Sequence, residues 1–312
     1  MNALTRKRLV RFLPPALLAL LLVGRRFQLE LSHLLAMAYL VWDYILILTI
    51  LLLLGLGVIS KRFRMAAFLM AIVVLVDFVS PTIQDGLRNS SLASGPTLKV
   101  VTFNWLGEER DRRDTYAWLA TENPDIVAIQ EISGEEKGLA SALFGQFPYR
   151  TRPVPDVMIF SKYPIVSQSS KTLDLNSMVR AELNVQNRRL VVWNIHPATL
   201  KELAEIKARD HYLADVAQYI ETEREPVLMM GDFNATRWDP GFRAIVEAGR
   251  LHEQPKLVAL PTRMAVRRGV PFLGSPIDHI LTNEGNVLTD CQTGPNLGSD
   301  HKPLICNFHL KN

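Results

Sequence analysis

A run of 26 residues from Leu34 to Ile59 (LLAMAYLVWDYILILTILLLLGLGVI) carries one charged side chain, Asp43. No other feature of the sequence restricts the fold so strongly. About 20 apolar residues suffice for a helix to cross roughly 30 Å of hydrocarbon, so this run is long enough to span a bilayer. A second apolar run, Met65 to Ile83 (MAAFLMAIVVLVDFVSPTI), holds Asp77 late in its length. An earlier and shorter one, Leu13 to Gly24 (LPPALLALLLVG), has arginines on both flanks. Taken alone it has the form of a signal-peptide core. With two further runs behind it and no clear small-residue cleavage site, it reads as a short anchor helix. Residues 1–83 are therefore expected to form a membrane anchor of about three transmembrane helices.

The charges divide at the same place. Of the 35 Lys+Arg and 31 Asp+Glu, residues 1–96 hold 10 and 4, which leaves 25 and 27 for residues 97–312. The net +4 is thus +6 before residue 97 and −2 after it. Basic residues beside apolar segments serve topology and headgroup contact. The remainder has no basic excess to spread along a duplex, which weakens a nucleic-acid reading. If the first run spans, Arg6, Lys7, Arg8 and Arg11 share the cytoplasmic side with Lys61, Arg62 and Arg64, and the C-terminal part lies outside. If it does not span, that part is cytoplasmic. The positive-inside rule favours the first arrangement, an integral membrane protein with its main domain extracytoplasmic.

Asp43 and Asp77 are read as interfacial, or as paired with a neighbouring helix, because no transport motif accompanies them. Residues 84–97 (QDGLRNSSLASGPT) are rich in Ser, Gly and Asn and read as a flexible linker. The two cysteines, Cys291 and Cys306, show no metal-thiolate spacing. Two buried thiols on neighbouring strands are expected, with a disulfide as the alternative in an oxidising compartment.

From Leu98 the pattern changes. LKVVTFNW is a β-branched strand ending at Asn104, and residues 110–121 suit a helix that Pro124 closes before a second apolar strand, DIVAIQE. Strand signals recur at DVMIFS, RAELNV, RRLVVWNIH, PVLMMGDFN, IDHILT and LICNFHL. A long helix over roughly 200–223 places Leu203, Ile206, Leu213, Val216 and Ile220 on one face. The mixture gives an α/β architecture with too few helices for a simple βαβ repeat.

Polar residues of catalytic type fall at the strand ends: Asn104, Glu131, His196, Asp232 with Asn234, Asp278, and Asp300 with His301. Carboxylates on separate strand ends can converge on a hard cation such as Mg²⁺, which takes oxygen ligands. The histidines and asparagines then supply proton transfer and hydrogen bonds, with no nucleophilic Ser or Cys required.

VTFNW, IVAIQE, WNIHP, MMGDFN, PIDHIL and GSDHKP, in this order, resemble the motifs of the endonuclease/exonuclease/phosphatase family across about residues 98–310. The resemblance implies a four-layer sandwich of two mixed β-sheets flanked by helices, an α/β (α+β) fold preceded here by transmembrane helices, with the site at one edge. It makes 98–312 the catalytic domain. It also implies that Asn104, Glu131 and Asp300 hold a divalent metal, Mg²⁺ with Mn²⁺ as the alternative. Asp232 would position or deprotonate water, Asn234 would bond the phosphate or that water, His301 would contact the scissile phosphate, and Asp278 would orient His301. His196 stands where DNase-like and sphingomyelinase-like members carry histidine and abasic-site endonucleases carry tyrosine. Trp105 and Leu106 follow Asn104 without the acid those repair enzymes place there. Arg180 falls where family nucleases contact phosphate, although an arginine on a strand is more often a solvated face. His279, alternating with Asp278 on one strand, reads as structural.

The function expected is metal-dependent hydrolysis of phosphodiester or phosphomonoester bonds beside a lipid bilayer, on nucleic acid or on a lipid or inositol headgroup. The alternative is a catalytically silent membrane-bound interaction module with the same fold. No obligate protein partner is expected.

Overall fold

The computed structural model describes residues 37–89, 95–106, 113–132, 143, 145–173, 176–264 and 274–311. The expected anchor helix at 13–24 lies outside the described residues. The two longer apolar runs form helices α1 (Trp42–Ile59) and α2 (Arg64–Arg88), each long and apolar enough to cross a membrane. They pack as a hairpin turned at residues 60–63. Pro81 inside α2 cannot donate to the Asp77 carbonyl, and the Ser80 hydroxyl does so instead at 3.0 Å.

The expected linker at 84–97 is corrected in its described parts. Residues 84–88 continue α2, and its end is tied to the domain. Arg88 donates to the Leu251 carbonyl at 2.7 Å. The Asn89 side chain exchanges two bonds with the Leu288 backbone, at 3.0 and 2.9 Å. Composition alone favoured a loose segment, but these tertiary bonds decide its conformation. Asp43 is likewise paired across to the domain: the Trp238 indole N–H donates to its carboxylate at 2.7 Å. Tyr39, Trp42, Leu46, Val74, Phe78 and Trp238 form one buried cluster at this junction.

The remaining strands are β1 (Thr97–Asn104), β2 (Ile126–Ile132), β3 (Tyr149–Arg150), β4 (Asp156–Ser161), β5 (Ile165–Leu173), β6 (Asn176–Val185), β7 (Arg188–Ile195), β8 (Val227–Asp232), β9 (Leu251–His252), β10 (Arg263–Met264), β11 (Gly274–Ser275), β12 (Asp278–Asn283), β13 (Val287–Thr293) and β14 (Leu304–His309). Helices α3 (Arg113–Glu122), α4 (Leu203–Glu221) and α5 (Pro240–Ala248) complete the order. One sheet runs β13-β14-β1-β2-β4-β3 and the other β5-β6-β7-β8-β12-β9. Both are mixed: β1–β2 and β7–β8 pair in parallel, their neighbours antiparallel.

Strand alternation explains the layering. Val100, Ala128, Ile159, Ala181, Val192, Met230 and Ile280 face the opposing sheet in a common core. Their alternates do the reverse: Val101, Phe103 and Val127 pack with Leu119 of α3, and Val191, Met229 and Leu281 with Leu213 and Val216 of α4. Each fully buried aliphatic chain contributes about 1.5–3 kcal/mol, so the sandwich is held by its two-period pattern. The expected pair of free thiols is also corrected: Cys291 and Cys306 form a disulfide. They lie on adjacent antiparallel strands at the irregularity between Thr289 and Gln292, with Cα atoms 4.1 Å apart.

Candidate active site

The parallel pairing of β1 with β2 sets Asn104 beside Gln130, and that of β7 with β8 sets Ile195 beside Gly231. The next residues in each case leave the ladder together at one edge of the sandwich. Antiparallel β12 places Asp278 directly opposite Asp232. A buried amide bridge fixes the spacing of the sheets beneath. Gln130 Nε2 donates to Asn194 Oδ1 at 2.7 Å, and Asn194 Nδ2 donates to the Ile129 and Met158 carbonyls, both at 2.9 Å.

Asn104 Nδ2 donates to Glu131 Oε1 at 2.8 Å and to Asp232 Oδ2 at 3.0 Å, the second bond crossing between sheets. Its oxygen accepts from the Leu106 amide at 3.0 Å. Asn104 therefore steadies two carboxylates through its nitrogen and does not itself turn an oxygen ligand towards them. His301 Nδ1–H donates to Asp278 Oδ2 at 2.8 Å, and His196 Nδ1–H to Asp156 Oδ2 at 2.5 Å. The free edges of both rings face Asp232: His301 Nε2 lies 3.6 Å and His196 Nε2 3.7 Å from its Oδ2, with His196 also 3.9 Å from Glu131. Ser299 Oγ joins the His301 loop to β1, donating to the Asn104 carbonyl at 2.8 Å while accepting from the His301 amide at 3.0 Å.

Three residues of the site have left-handed backbone. Glu131, Asp156 and Asn234 all have positive φ (55°, 70° and 46°). Asn tolerates that region, whereas for a glutamate it costs on the order of 1–3 kcal/mol and persists only where the surroundings impose it. At Glu131 the strain accompanies a register shift between Gln130 and Ile132. Gly231, φ 148°, is required because a Cβ there would run into the Ile195 carbonyl. Asn234 donates its backbone N–H to Asp232 Oδ1 at 2.8 Å and its amide to the Pro197 carbonyl at 3.1 Å.

Burial alone would drive both imidazoles towards the neutral form. For His196 the bond to Asp156 and the charges of Asp156, Asp232 and Glu131 outweigh it and hold the ring up at about 9. For His301, burial is likewise overcome by Asp278 and Asp232, again at about 9. Burial of Asp232 opposes ionisation, but the two imidazoles hold it below the ordinary carboxylate range.

Of the residues expected from sequence, Asn104, Glu131, His196, Asp232, Asn234, Asp278 and His301 come together. Asp300 stands beside them and pairs with Arg263 at 3.6 Å. Arg180 is not brought in: it faces the helix side of β6, bonded to Glu223 at 2.8 Å. His279 does point to the other face, where it donates to Glu253 and to the Ala235 carbonyl, each at 2.8 Å. Sequence reasoning missed Asp156, whose only signal is an acid opening the strand antiparallel to the one carrying Glu131. It also missed Arg209, buried under the Asn234 loop and paired with Asp239 at 3.0 Å. A single cation on the polar flank of a helix gave no cue.

A divalent cation fits this donor set. Glu131 and Asp232 offer hard oxygens held by one amide, and the buried Oδ1 of Asp278 has no hydrogen-bond partner among the described residues. A grouping of Asp232, Asp278 and His301, with ligand atoms within 4.8 Å, is also compact enough for a metal. Against burial, Asp278 and Asp232 hold His301 protonated, and a protonated ring does not ligate a cation, so the Glu131–Asp232 side is the better fit.

The chain is similar to several known proteins. It is 26% identical over 137 residues to the UPF0294 protein plu0699 of Photorhabdus laumondii, covering 44% of this chain and 49% of that one, so the match spans about half of that relative's length. Among solved structures, an endonuclease/exonuclease/phosphatase from Beutenbergia cavernae superposes with TM-score 0.58 at 17% identity, over 69% of this chain and 72% of that one. Sphingomyelinase C from Streptomyces griseocarneus gives 0.53 at 18%, over 70% and 100%. A beta toxin variant from Staphylococcus aureus with bound magnesium ions gives 0.50 at 16%, over 69% and 100%. With its two mixed sheets, its edge site and a family model matched over residues 101–301, the chain belongs to the Endonuclease/Exonuclease/phosphatase family.

Proposed function

We propose that this chain is a membrane-anchored phosphoesterase that hydrolyses phosphodiester or phosphomonoester bonds with a divalent cation, Mg²⁺ first and Mn²⁺ as the alternative. The observation that carries it is the facing of two carboxylate-backed imidazoles, His196 and His301, across one oxygen of Asp232. Glu131 and Asp232 would hold the cation, with Asn104 keeping both in place. When bound, it neutralises phosphoryl charge and steadies the leaving oxygen. Asp232 takes up or directs the proton of the attacking water, and the Asn234 backbone N–H fixes the orientation of that carboxylate. His196 and His301, charged at neutral pH, donate from Nε2 to the oxygens that gain charge at phosphorus, where preorganised donors have their largest effect. Asp156 and Asp278 fix the ring orientations. Asp300 and Arg180 are given no contact with the cation or the phosphate.

The two apolar helices support anchoring, and the Cys291–Cys306 disulfide supports an oxidising, extracytoplasmic location. Between the two substrate classes, the domain's −2 balance and its attachment to the hairpin favour a lipid or inositol headgroup over nucleic acid. The test is hydrolysis by the full chain in nanodiscs of DNA, RNA, sphingomyelin, an inositol phosphate, p-nitrophenyl phosphate and bis-p-nitrophenyl phosphate, with Mg²⁺ or with EDTA. Cleavage of at least one substrate, abolished by EDTA and by Asp232→Ala, is expected. If none is cleaved with Mg²⁺ or Mn²⁺, the silent-module reading takes its place.

A further inference from the structure

The loop between β9 and β10 reverses the usual placement of side chains. Lys256 turns inward, its Nζ donating to the Cys291 carbonyl, while its own carbonyl accepts from Arg237 at 3.0 Å. Leu257 and Val258, which follow it, are 51% and 43% exposed. Leu257 and Val258 thus stand outward as an adjacent apolar pair on a loop tied down by part-buried polar bonds.

Position identifies what they face. Pro255 packs against Gly86 of α2, and the Thr82 hydroxyl donates to the Lys256 carbonyl at 2.8 Å. Val258 and Ala259 line, with residues 39–44, the small cavity where α1 enters the domain. The loop therefore lies across the domain end of the hairpin. Length then decides where the bilayer stops. The strongly exposed apolar stretch of α1, Leu48 to Ile59, rises only about 18 Å at 1.5 Å per residue. A hydrocarbon layer of roughly 30 Å needs about 20 residues, which reach back from Ile59 to the neighbourhood of Leu40 and forward from Met65 to that of Gln84. Exposed Val41 and Ile83 lie at those levels, beside the loop.

We propose that Leu257 and Val258 form a bilayer-contact element that enters the boundary between acyl chains and headgroups. The same chain segment runs on to Thr262, whose hydroxyl accepts from the Asp278 amide at 3.1 Å, and to Arg263, which bridges His301. The contact thus holds the catalytic loops at headgroup level. This rests on the membrane-anchor reading.

The native cysteines are bonded to each other, so single thiols introduced by Leu257→Cys or Val258→Cys can carry an environment-sensitive fluorophore on the full chain in phosphatidylethanolamine/phosphatidylglycerol vesicles. Leu51→Cys reports the middle of the hairpin, and Ser170→Cys reports the opposite edge of the domain. Lipids spin-labelled near the headgroup should quench the 257 and 258 labels at least about twofold more than the Ser170 label, and lipids labelled mid-chain should quench the Leu51 label. If 257 and 258 behave like Ser170 while Leu51 is quenched, the loop inference is overturned and the anchor stands. If Leu51 also escapes quenching, both are overturned.

Discussion

His196 and Asp156 belong to different sheets, yet the imidazole Nδ1–H donates to the carboxylate at 2.5 Å. The pair therefore closes the sandwich at its catalytic edge as well as fixing one ring. Asp156→Asn keeps the volume but removes the charge that holds His196 protonated and oriented. Loss of a carboxylate behind a catalytic imidazole costs on the order of 10²–10⁴ in turnover. Steady-state kinetics should show a fall of that size in kcat with an unchanged circular dichroism spectrum; an undiminished kcat would mean that Asp156 does not act through His196.

Asp278 and His301 form the second such pair, at 2.8 Å. Residues that act as a unit are non-additive. Asp278→Asn and His301→Ala should each lower kcat by about 10²–10³, and the double variant by little more than the worse single one. A double-mutant cycle checks this, and full additivity would mean that Asp278 does not act through His301.

The same imidazoles predict how stability varies with pH once divalent metal is chelated. Both are raised from about 6.5 when unfolded to about 9 when folded. Their contribution is therefore fully present below about 6.5 and lost as pH rises through about 9. Asp232, depressed in the folded state, contributes above its unfolded value and loses that as pH falls. Urea melts in EDTA should show stability falling by on the order of 1–3 kcal/mol from pH 6.5 to 9.5. His196→Gln should flatten that slope, and a parent curve already flat would contradict the buried-charge account.

How much of this was legible in the sequence follows from the range of each interaction. The strands were readable because two-period alternation is local, and Asn104, Glu131, Asp232 and His301 because short motifs at strand ends carry them. Asp156 was not, since its meaning arises only when β4 pairs with β2 and β7 comes over from the other sheet. Arg180 shows the opposite failure: its strand position invited a phosphate contact, but its face is set by alternation with Val179 and Ala181, which turn inward. The segment at 84–89 looked loose because Ser, Gly and Asn favour loops, and nothing local reveals that Leu288 would bind Asn89.

Arg209 tests whether the catalytic loop is supported from behind. Its guanidinium is buried, pairs with Asp239 at 3.0 Å and donates to the Asn234 carbonyl at 3.1 Å. Arg209→Met leaves Asp239 buried without its cation, and breaking such a pair costs about 3–5 kcal/mol. Asp239 also caps α5 through the Gly241 amide at 2.8 Å, so Asp239→Asn retains the cap while removing the stranded charge. Thermal melts should show a large fall in Tm for Arg209→Met that the added Asp239→Asn partly restores; equal Tm values for parent and single variant would refute the role.

Trp238 separates a hairpin that is part of the domain from one that merely tethers it. It is fully buried against Tyr39, Trp42 and Phe78, with its N–H on Asp43. In the full chain, Trp238→Ser gives up that burial and the indole bond to Asp43, a loss of about 3–5 kcal/mol. In a truncated protein beginning at Gly95 the helices are gone, and the same indole becomes exposed apolar surface beside the active-site loop. There the substitution should act in the opposite sense, reducing dye binding to exposed hydrophobic surface and slowing aggregation. A tethered domain would show neither effect, because Trp238 would not depend on the helices for its environment. Light scattering and melting curves on the four proteins, full and truncated with and without Trp238→Ser, give the sign directly, and the same sign in both backgrounds would show that the domain does not use the hairpin as part of its core.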